Sequence, residues 1–253
     1  MSWSARVMGA AEAIVPQRLR RWIRSKQREH RLQWPRRGTI DFGALRRLSP
    51  VSRHFGLDRG LPIDRYYIEQ FLGNNASDIR GRVLEMGDAT YTRKFGGAQV
   101  RQSDVLHVVP GNPQATIVAD LTCADSIPPD SFDCIILTQT IQMIYDARAA
   151  LRHVHRILKP GGVLLMTTHG ISRVARREGV DDWGEYWHFT SQSLRKLFAE
   201  VFVGADVKID VCGNVLTAIA SLHGLAAEEL TPEELGAVDP NFEVLLTVRA
   251  IKA

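Results

Sequence analysis

Three of the eight histidines fall where catalytic side chains are usually found. His107 and His169 lie at the ends of predicted strands, and His188 lies in a loop rich in aromatic residues. A histidine beside a hydroxyl group can take up its proton, because the ordinary pKa of imidazole lies close to neutral pH. We therefore predict His169, directly after a buried strand, as the general base, and His188 as the second candidate. The alternative for each is a histidine that only satisfies buried hydrogen bonds.

A glycine turn follows the first predicted strand of the chain. Residues 82–86 form a short apolar run that leads directly into Gly87, and the polar residue Asp88 comes next. Parallel strands that end in such a turn bind nucleotide-like ligands, because glycine lets the ligand approach the backbone. An acidic residue near the end of the following strand usually holds a ribose diol. Asp104, seventeen positions after Gly87, is the candidate for that role.

Strands and helices alternate around these residues. The predicted strands are 82–86, 99–109, 116–122, 131–140, 163–168, 206–211 and 242–249. The predicted helices are 11–32, 63–72, 144–158, 191–202 and 214–234. Strand, helix and strand in succession indicate βαβ units and therefore a mainly parallel sheet of the α/β class.

Composition favours one globular domain with an appendage. The chain has 253 residues, 45% of them hydrophobic and 24% charged, which suits one domain with an appendage. We predict a basic arm and loop over residues 1–60 and an α/β domain over residues 61–253. There is no apolar run near the ~20 residues of a membrane span and no apolar core of a signal peptide. The three cysteines lie far apart, so we expect reduced thiols, no metal and a cytoplasmic protein.

The first 60 residues carry fourteen lysines and arginines but only four acidic residues. Such a basic segment implies an anionic neighbour. Residues 11–32 have apolar side chains at helical spacing, so residues 11–37 could lie on the anionic inner face of a membrane. The alternative is a helix packed on its own domain or on another subunit of a homo-oligomer. Nucleic acid is disfavoured, because the arginines lack interleaved aromatic residues.

Two groups of aromatic residues are candidates for binding a substrate. Tyr66 and Tyr67 lie on the helix that precedes the glycine turn, and Tyr186 and Trp187 lie in the aromatic loop. Aromatic faces suit sugar rings and flat aglycones. The alternative is that these side chains anchor their own segments in the core.

Four segments resemble the class I S-adenosylmethionine-dependent methyltransferases. They are Val-Leu-Glu-Met-Gly at 83–87, Ala-Asp-Leu at 119–121, the apolar run at 132–140, and Ile-Leu-Lys-Pro-Gly-Gly-Val-Leu-Leu at 157–165. The resemblance covers residues 62–253. It implies a Rossmann-like, seven-stranded, mostly parallel sheet with an antiparallel last strand and helices on both faces.

The same resemblance implies a set of cofactor-binding residues for S-adenosylmethionine. It implies Glu85, Gly87 and Asp88 at the methionine end, Asp104 on the ribose, Asp120 and Leu121 beside the adenine, and Thr138 and Gln139 under the sulfonium.

The chain departs from the family pattern in the glycine turn, where Ala89 and Tyr91 stand at the usual glycine positions. Segments 58–67 and 187–190 resemble a bacterial subgroup associated with polysaccharide and natural-product biosynthesis. The implied activity is O-methylation of a saccharide or secondary-metabolite hydroxyl. A non-catalytic, methyltransferase-like scaffold that works through the basic arm is the alternative.

Overall fold

The structure is a computed structural model that describes residues 16–29, 35, 38–175 and 184–253. The chain divides into two compact units, Met1–Leu48 and Ser49–Ala253. This division differs from the predicted boundary after residue 60, because residues 49–60 are bonded to the second unit. The backbone N–H groups of Val51 and Ser52 donate to the carbonyl oxygen of His223, and Arg59 pairs with Glu229.

The first unit contains one α-helix among its described residues, α1 (Gln17–Glu29). Leu19 and Trp22 lie three residues apart on one face of α1, and both are exposed. The predicted helix extended over 11–32, and its residues 11–15 and 30–32 lie outside the described part of the chain. No helix among the described residues is long and apolar enough to cross a membrane.

The second unit is built on one seven-stranded sheet. Its strands are β1 (Gly81–Met86), β2 (Val100–His107), β3 (Ile117–Val118), β4 (Phe132–Thr138), β5 (Leu158–His169), β6 (Asp206–Cys212) and β7 (Leu245–Ile251). Their spatial order is β3-β2-β1-β4-β5-β7-β6. Neighbours are parallel except that β7 runs antiparallel to both β5 and β6. The fold predicted from the sequence is therefore confirmed.

Helices cover both faces of this sheet. The helices are α2 (Ile63–Asn74), α3 (Ala147–Ile157), α4 (Ser191–Val201), α5 (Val215–His223) and α6 (Pro232–Gly236). Alternate strand residues point to opposite faces, so Ile135 packs in the core under α3 and α4 while Ile136 packs under α2. Both residues are fully buried, as expected for a parallel strand covered on both sides.

Short polar segments fix where these helices begin and end. Asp146 accepts a hydrogen bond from the backbone of Ala149 at the start of α3, and Thr190 forms a capping box with Ser193 at the start of α4. The single helix predicted over 214–234 is wrong. Helix α5 ends at His223, and Gly224 follows with a left-handed φ of +67°. A Cβ at Gly224 would lie 2.5 Å from the carbonyl oxygen of Ser52.

Substitution of Phe132, a residue of β4, tests how tightly the core of this unit is packed. Its ring is fully buried, and the guanidinium carbon of Arg82 lies 4.8 Å from the ring centroid. We expect Phe132→Ala to lower the free energy of unfolding by about 3–5 kcal/mol, measured by urea denaturation. The control Val203→Ala, at a residue that is 73% exposed, should change it by less than about 0.5 kcal/mol. Equal stabilities of the two variants would contradict this packing.

Candidate active site

A cavity of about 750 Å³ opens at the carboxyl ends of β1, β2 and β4. Parallel strands bring their carboxyl ends to one edge, and ligand sites of open α/β sheets lie there. Its volume is that of a pocket for a nucleoside-sized ligand. The lining residues that matter for function are Met86, Gly87, Leu106, His107, Asp120, Leu121, Thr140, Met143, Tyr145 and Tyr186.

Gly87 forms the tight turn directly after β1. Its φ is +83°, a conformation that favours glycine, and no atom lies within 4 Å of the position that a Cβ would occupy. The side-chain amide of Asn112 donates to the carbonyl oxygen of Gly87 over 2.6 Å. The turn is thus held in place while its backbone stays open to the cavity.

Glu85 holds the turn in place through hydrogen bonds to its backbone. Its carboxylate is buried and accepts hydrogen bonds from the backbone N–H groups of Tyr91 at 3.0 Å and Thr92 at 2.7 Å. Burial raises the pKa of Glu85, while these hydrogen bonds oppose the rise. Glu85 is not among the lining residues, and Asp88 instead accepts a hydrogen bond from the N–H of Thr90. Both side chains shape the turn from outside the cavity.

Tyr91, which replaces a family glycine, points away from the cavity. Its ring stacks on Phe95 with centroids 6.3 Å apart and packs against the core under α2. Burial raises the pKa of its hydroxyl group to about 12. The cavity therefore stays open although Ala89 and Tyr91 stand at two usual glycine positions of the turn.

The ribose role predicted for Asp104 is corrected, because its side chain is bonded to neighbouring side chains and does not line the cavity. Asp104 pairs with Leu84 in the strand register, three residues before the end of β2. Its buried carboxylate accepts hydrogen bonds from Arg82 at 2.7 Å, Gln102 at 3.0 Å and Thr116 at 3.0 Å. The residue at the strand end, which does line the cavity, is His107.

Asp120 and Leu121 line the far end of the cavity. The Asp120 carboxylate accepts hydrogen bonds from the backbone and the hydroxyl of Thr122, at 2.8 and 2.9 Å, and so fixes a short turn. Leu121 is buried and presents an apolar surface. This part of the cavity therefore combines an apolar side chain with a carboxylate.

The segment after β4 links the cavity to a second group of polar side chains. Thr138 and Gln139 do not line the cavity, whereas Thr140 does. Gln139 has a φ of +46°, unusual for a residue with a side chain. Its Oε1 accepts a hydrogen bond from Gln142 at 2.7 Å, and its Nε2 is buried with no hydrogen-bond partner among the described residues. Backbone strain together with an unpaired buried donor is typical of functional sites.

His169, Glu185 and His188 form this second group, here called the histidine cluster. Nε2 of His169 contacts Oε1 of Glu185 directly, and Nε2 of His188 lies 3.6 Å from the same oxygen. Nδ1 of His169 lies 3.1 Å from Oε1 of Gln139. The two imidazole rings have their centroids 4.9 Å apart. The predicted pair of histidines is thus brought together, and the carboxylate between them is a residue that the sequence analysis missed.

Burial and charge act in opposite directions on the cluster. Burial lowers the pKa of His169, and the carboxylate of Glu185 raises it. The side chain of Glu185 is fully buried, while that of His188 is 34% exposed. His188 is therefore the member of the cluster that solvent or a substrate reaches most easily.

The four aromatic candidates have different positions. Tyr186 lines the cavity. The substrate-binding role predicted for Tyr67 is corrected, because its side chain is buried between α2 and the sheet. Its hydroxyl donates to the carbonyl oxygen of Leu235. Tyr66 packs edge-on against Tyr67, away from the cavity lining. Trp187 is exposed and stacks on Tyr145 of the cavity lining, and its Nε1 donates to the carbonyl oxygens of residues 144 and 145.

Comparison with known families identifies the chain. A family model described as a methyltransferase domain matches residues 65–201. The chain belongs to this methyltransferase family. It is therefore an enzyme whose cofactor is S-adenosylmethionine, the methyl donor of the family. No curated protein matches the chain.

Several solved structures are similar to the chain at low sequence identity. An S-adenosylmethionine-dependent methyltransferase from Mesorhizobium loti is 16% identical, with a TM-score of 0.50 over 78% of this chain and 100% of that one. The YcgJ protein of Bacillus subtilis is 16% identical, with a TM-score of 0.46 over 74% and 98%. A methyltransferase from Archaeoglobus fulgidus is 10% identical, with a TM-score of 0.48 over 74% and 94%.

The cavity fits the cofactor of this family. An open glycine turn allows close approach of a ligand to the backbone, and Leu106 and Leu121 supply an apolar surface for a base. His107 and Asp120 supply polar groups at the same edge. Because Tyr91 points elsewhere, no side chain of the turn fills this space.

Gly87 should control cofactor affinity. Gly87→Val would strain a left-handed position by about 1–3 kcal/mol and would place two methyl groups in the cavity. We expect S-adenosylmethionine binding, measured by calorimetric titration, to weaken at least tenfold. The matched control is Gly97→Val, at a position with a φ of +54° and equally open space that does not line the cavity. The account is wrong if both variants bind the cofactor equally well.

Proposed function

We propose that the enzyme transfers the methyl group of S-adenosylmethionine to a hydroxyl oxygen held at the histidine cluster. The observation that carries the proposal is the continuity of residues 139 and 140. Thr140 lines the cavity, and its neighbour Gln139 contacts His169. A cofactor in the cavity and an acceptor at the cluster would therefore meet across two adjacent residues.

Within the cavity, we assign each end of the cofactor to residues of matching chemistry. Leu121 and Asp120 would hold the adenine, as the apolar wall and carboxylate at the far end suggest. His107, at the end of β2, would contact the ribose hydroxyls. Gly87 would receive the methionine end, with Glu85 and Asp88 keeping the turn in shape.

The protein has two tasks in methyl transfer, since the sulfonium of the cofactor supplies the driving force. It must align the acceptor oxygen with the methyl group, and it must help the hydroxyl lose its proton. Thr140, which lines the cavity, and Gln139, which contacts His169, can serve the first task by holding the two sites next to each other. His169 and His188 serve the second as imidazoles beside the acceptor.

The acceptor that fits best is a saccharide or a secondary metabolite that carries a hydroxyl group. Tyr186 and Tyr145 line the cavity on the side of the aromatic loop, and their rings meet edge to face with centroids 5.4 Å apart. Such aromatic surfaces stack on sugar rings and flat aglycones. A role in polysaccharide or natural-product biosynthesis follows from this acceptor class.

Substitution of the histidines tests the catalytic assignment. We expect His169→Ala and His188→Ala each to lower turnover by about 100-fold or more while cofactor affinity is unchanged. Turnover is measured as S-adenosylhomocysteine release with acceptors from a panel of saccharides and phenols. His153→Ala, on α3 outside the cluster, is the control. Wild-type turnover in both cluster variants would refute the assignment, and failure of the wild type to bind the cofactor would refute the function.

We also propose that α1 holds the enzyme at the anionic inner face of a membrane. Leu19 and Trp22 are exposed on one face of the helix, and six of its thirteen residues are basic. An amphipathic basic helix with a tryptophan binds anionic lipid surfaces, with about 1 kcal/mol from each basic residue near the surface.

Charge reversal in α1 tests the membrane proposal. The double variant Arg18→Glu/Arg21→Glu should lower co-sedimentation of the full chain with phosphatidylserine vesicles at least tenfold, because two favourable charges become repulsive. Arg46→Glu/Arg47→Glu, in the same unit but outside the helix, is the control. If both double variants sediment alike, α1 is not the membrane contact.

A further inference from the structure

The orientation of two glutamine amides near His169 favours one tautomer of its ring. The hydroxyl of Thr168 donates to Oε1 of Gln142 at 3.0 Å, so the amide nitrogen of Gln142 faces Gln139 and donates to its Oε1. An amide oxygen can only accept hydrogen bonds. With the amides in this orientation, Nδ1 of His169 is the donor in its 3.1 Å contact with this oxygen.

This arrangement leaves the lone pair of Nε2 in neutral His169 pointing at a carboxylate. Nε2 contacts Oε1 of Glu185, which is also an acceptor, and Nε2 of His188 lies 3.6 Å from that oxygen. The other oxygen of Glu185 accepts a hydrogen bond from the backbone N–H of Ala175. Oε1 is thereby directed at the two histidines, and the three candidate ligand atoms lie within 4.8 Å of one another.

We infer that His169, Glu185 and His188 bind a divalent transition-metal cation such as Zn²⁺. This inference rests on the proposed function, because it describes how the histidine cluster would activate the acceptor. Two imidazoles and one carboxylate form a ligand set of catalytic zinc sites, with a fourth position left for a substrate oxygen. Mg²⁺ and Ca²⁺ are disfavoured, because they prefer oxygen ligands throughout.

The ligand atoms of the cluster are near enough to one another to share a cation. The three ligand atoms all lie within 4.8 Å of one another, and ligands of a tetrahedral zinc ion are roughly 3.4 Å apart. A cation would replace the direct contact between His169 and Glu185. The outer hydrogen bonds from Nδ1 of His169 to Gln139 and from Ala175 to Glu185 are of the kind that orient metal ligands.

The cation would give the two histidines a defined task in methyl transfer. Coordination of the acceptor oxygen would favour loss of its proton to water. The oxygen then forms a bond to the methyl carbon as the carbon–sulfur bond breaks, and the sulfonium becomes a neutral thioether. The partly exposed side chain of His188 leaves the site accessible to the acceptor.

Zinc titration of the full chain tests the inference. Calorimetry of metal-free protein with Zn²⁺ should show one site per chain, and Co²⁺ should give the visible absorption of a tetrahedral site. We expect His188→Asn and Glu185→Gln to weaken zinc binding at least tenfold, while His153→Asn binds as the wild type does. S-adenosylmethionine affinity, measured on each variant, shows that its fold is intact.

The outcomes separate this inference from the proposed function. If the wild type binds no zinc, or if the cluster variants bind it as tightly as the wild type, the inference is overturned. It is also overturned if EDTA-treated enzyme turns over at the full rate, a result that leaves the methyltransferase activity standing. Zinc binding without binding of S-adenosylmethionine would instead refute the proposed function.

Discussion

The parallel register of β1, β2 and β4 is the constraint on which the site depends. Val83 of β1 pairs with Cys134 of β4, and Met86 pairs with Leu106 of β2, so these strands end at one edge of the sheet. A shift of one residue would exchange the faces to which every side chain of a strand points. The register thus decides which residues reach the cavity and which stay inside the sheet.

The sequence predicts those parts of the site that depend on local backbone chemistry. The turn at Gly87 follows an apolar strand, and a residue with a left-handed φ is needed there whatever surrounds it. Asp120 and Leu121, which the family resemblance implied, follow β3 after one intervening residue and line the cavity. The seven-stranded topology followed from family resemblance rather than from any single motif, and strand pairing confirms it.

The errors concern residues whose position is decided by distant partners. Asp104 is an acid near the end of a strand, but pairing with β1 ends that strand at His107 and leaves Asp104 bonded to Arg82. Tyr67 could not be assigned from periodicity, because its buried face is set by packing and by a carbonyl 168 residues away. Glu185 was missed because its contact with His169 joins a strand end to a loop, with no fixed spacing to indicate it.

The cavity is retained although Ala89 and Tyr91 differ from the glycines of the family turn. Tyr91 fills space between the turn and α2, and its backbone N–H is held by Glu85. A non-catalytic scaffold was the alternative because this ring could have occupied the cofactor's place. The position of the ring, together with family membership, favours an enzyme over a scaffold.

A crystal structure of the chain with S-adenosylhomocysteine tests the central claim most directly, namely that the cavity at the carboxyl edge holds the nucleoside. The account predicts the adenine against Leu121 and the amino-acid end at Gly87, with the sulfur facing Thr140. A nucleoside bound elsewhere, or a Tyr91 ring turned into the cavity so that no ligand enters, would contradict it.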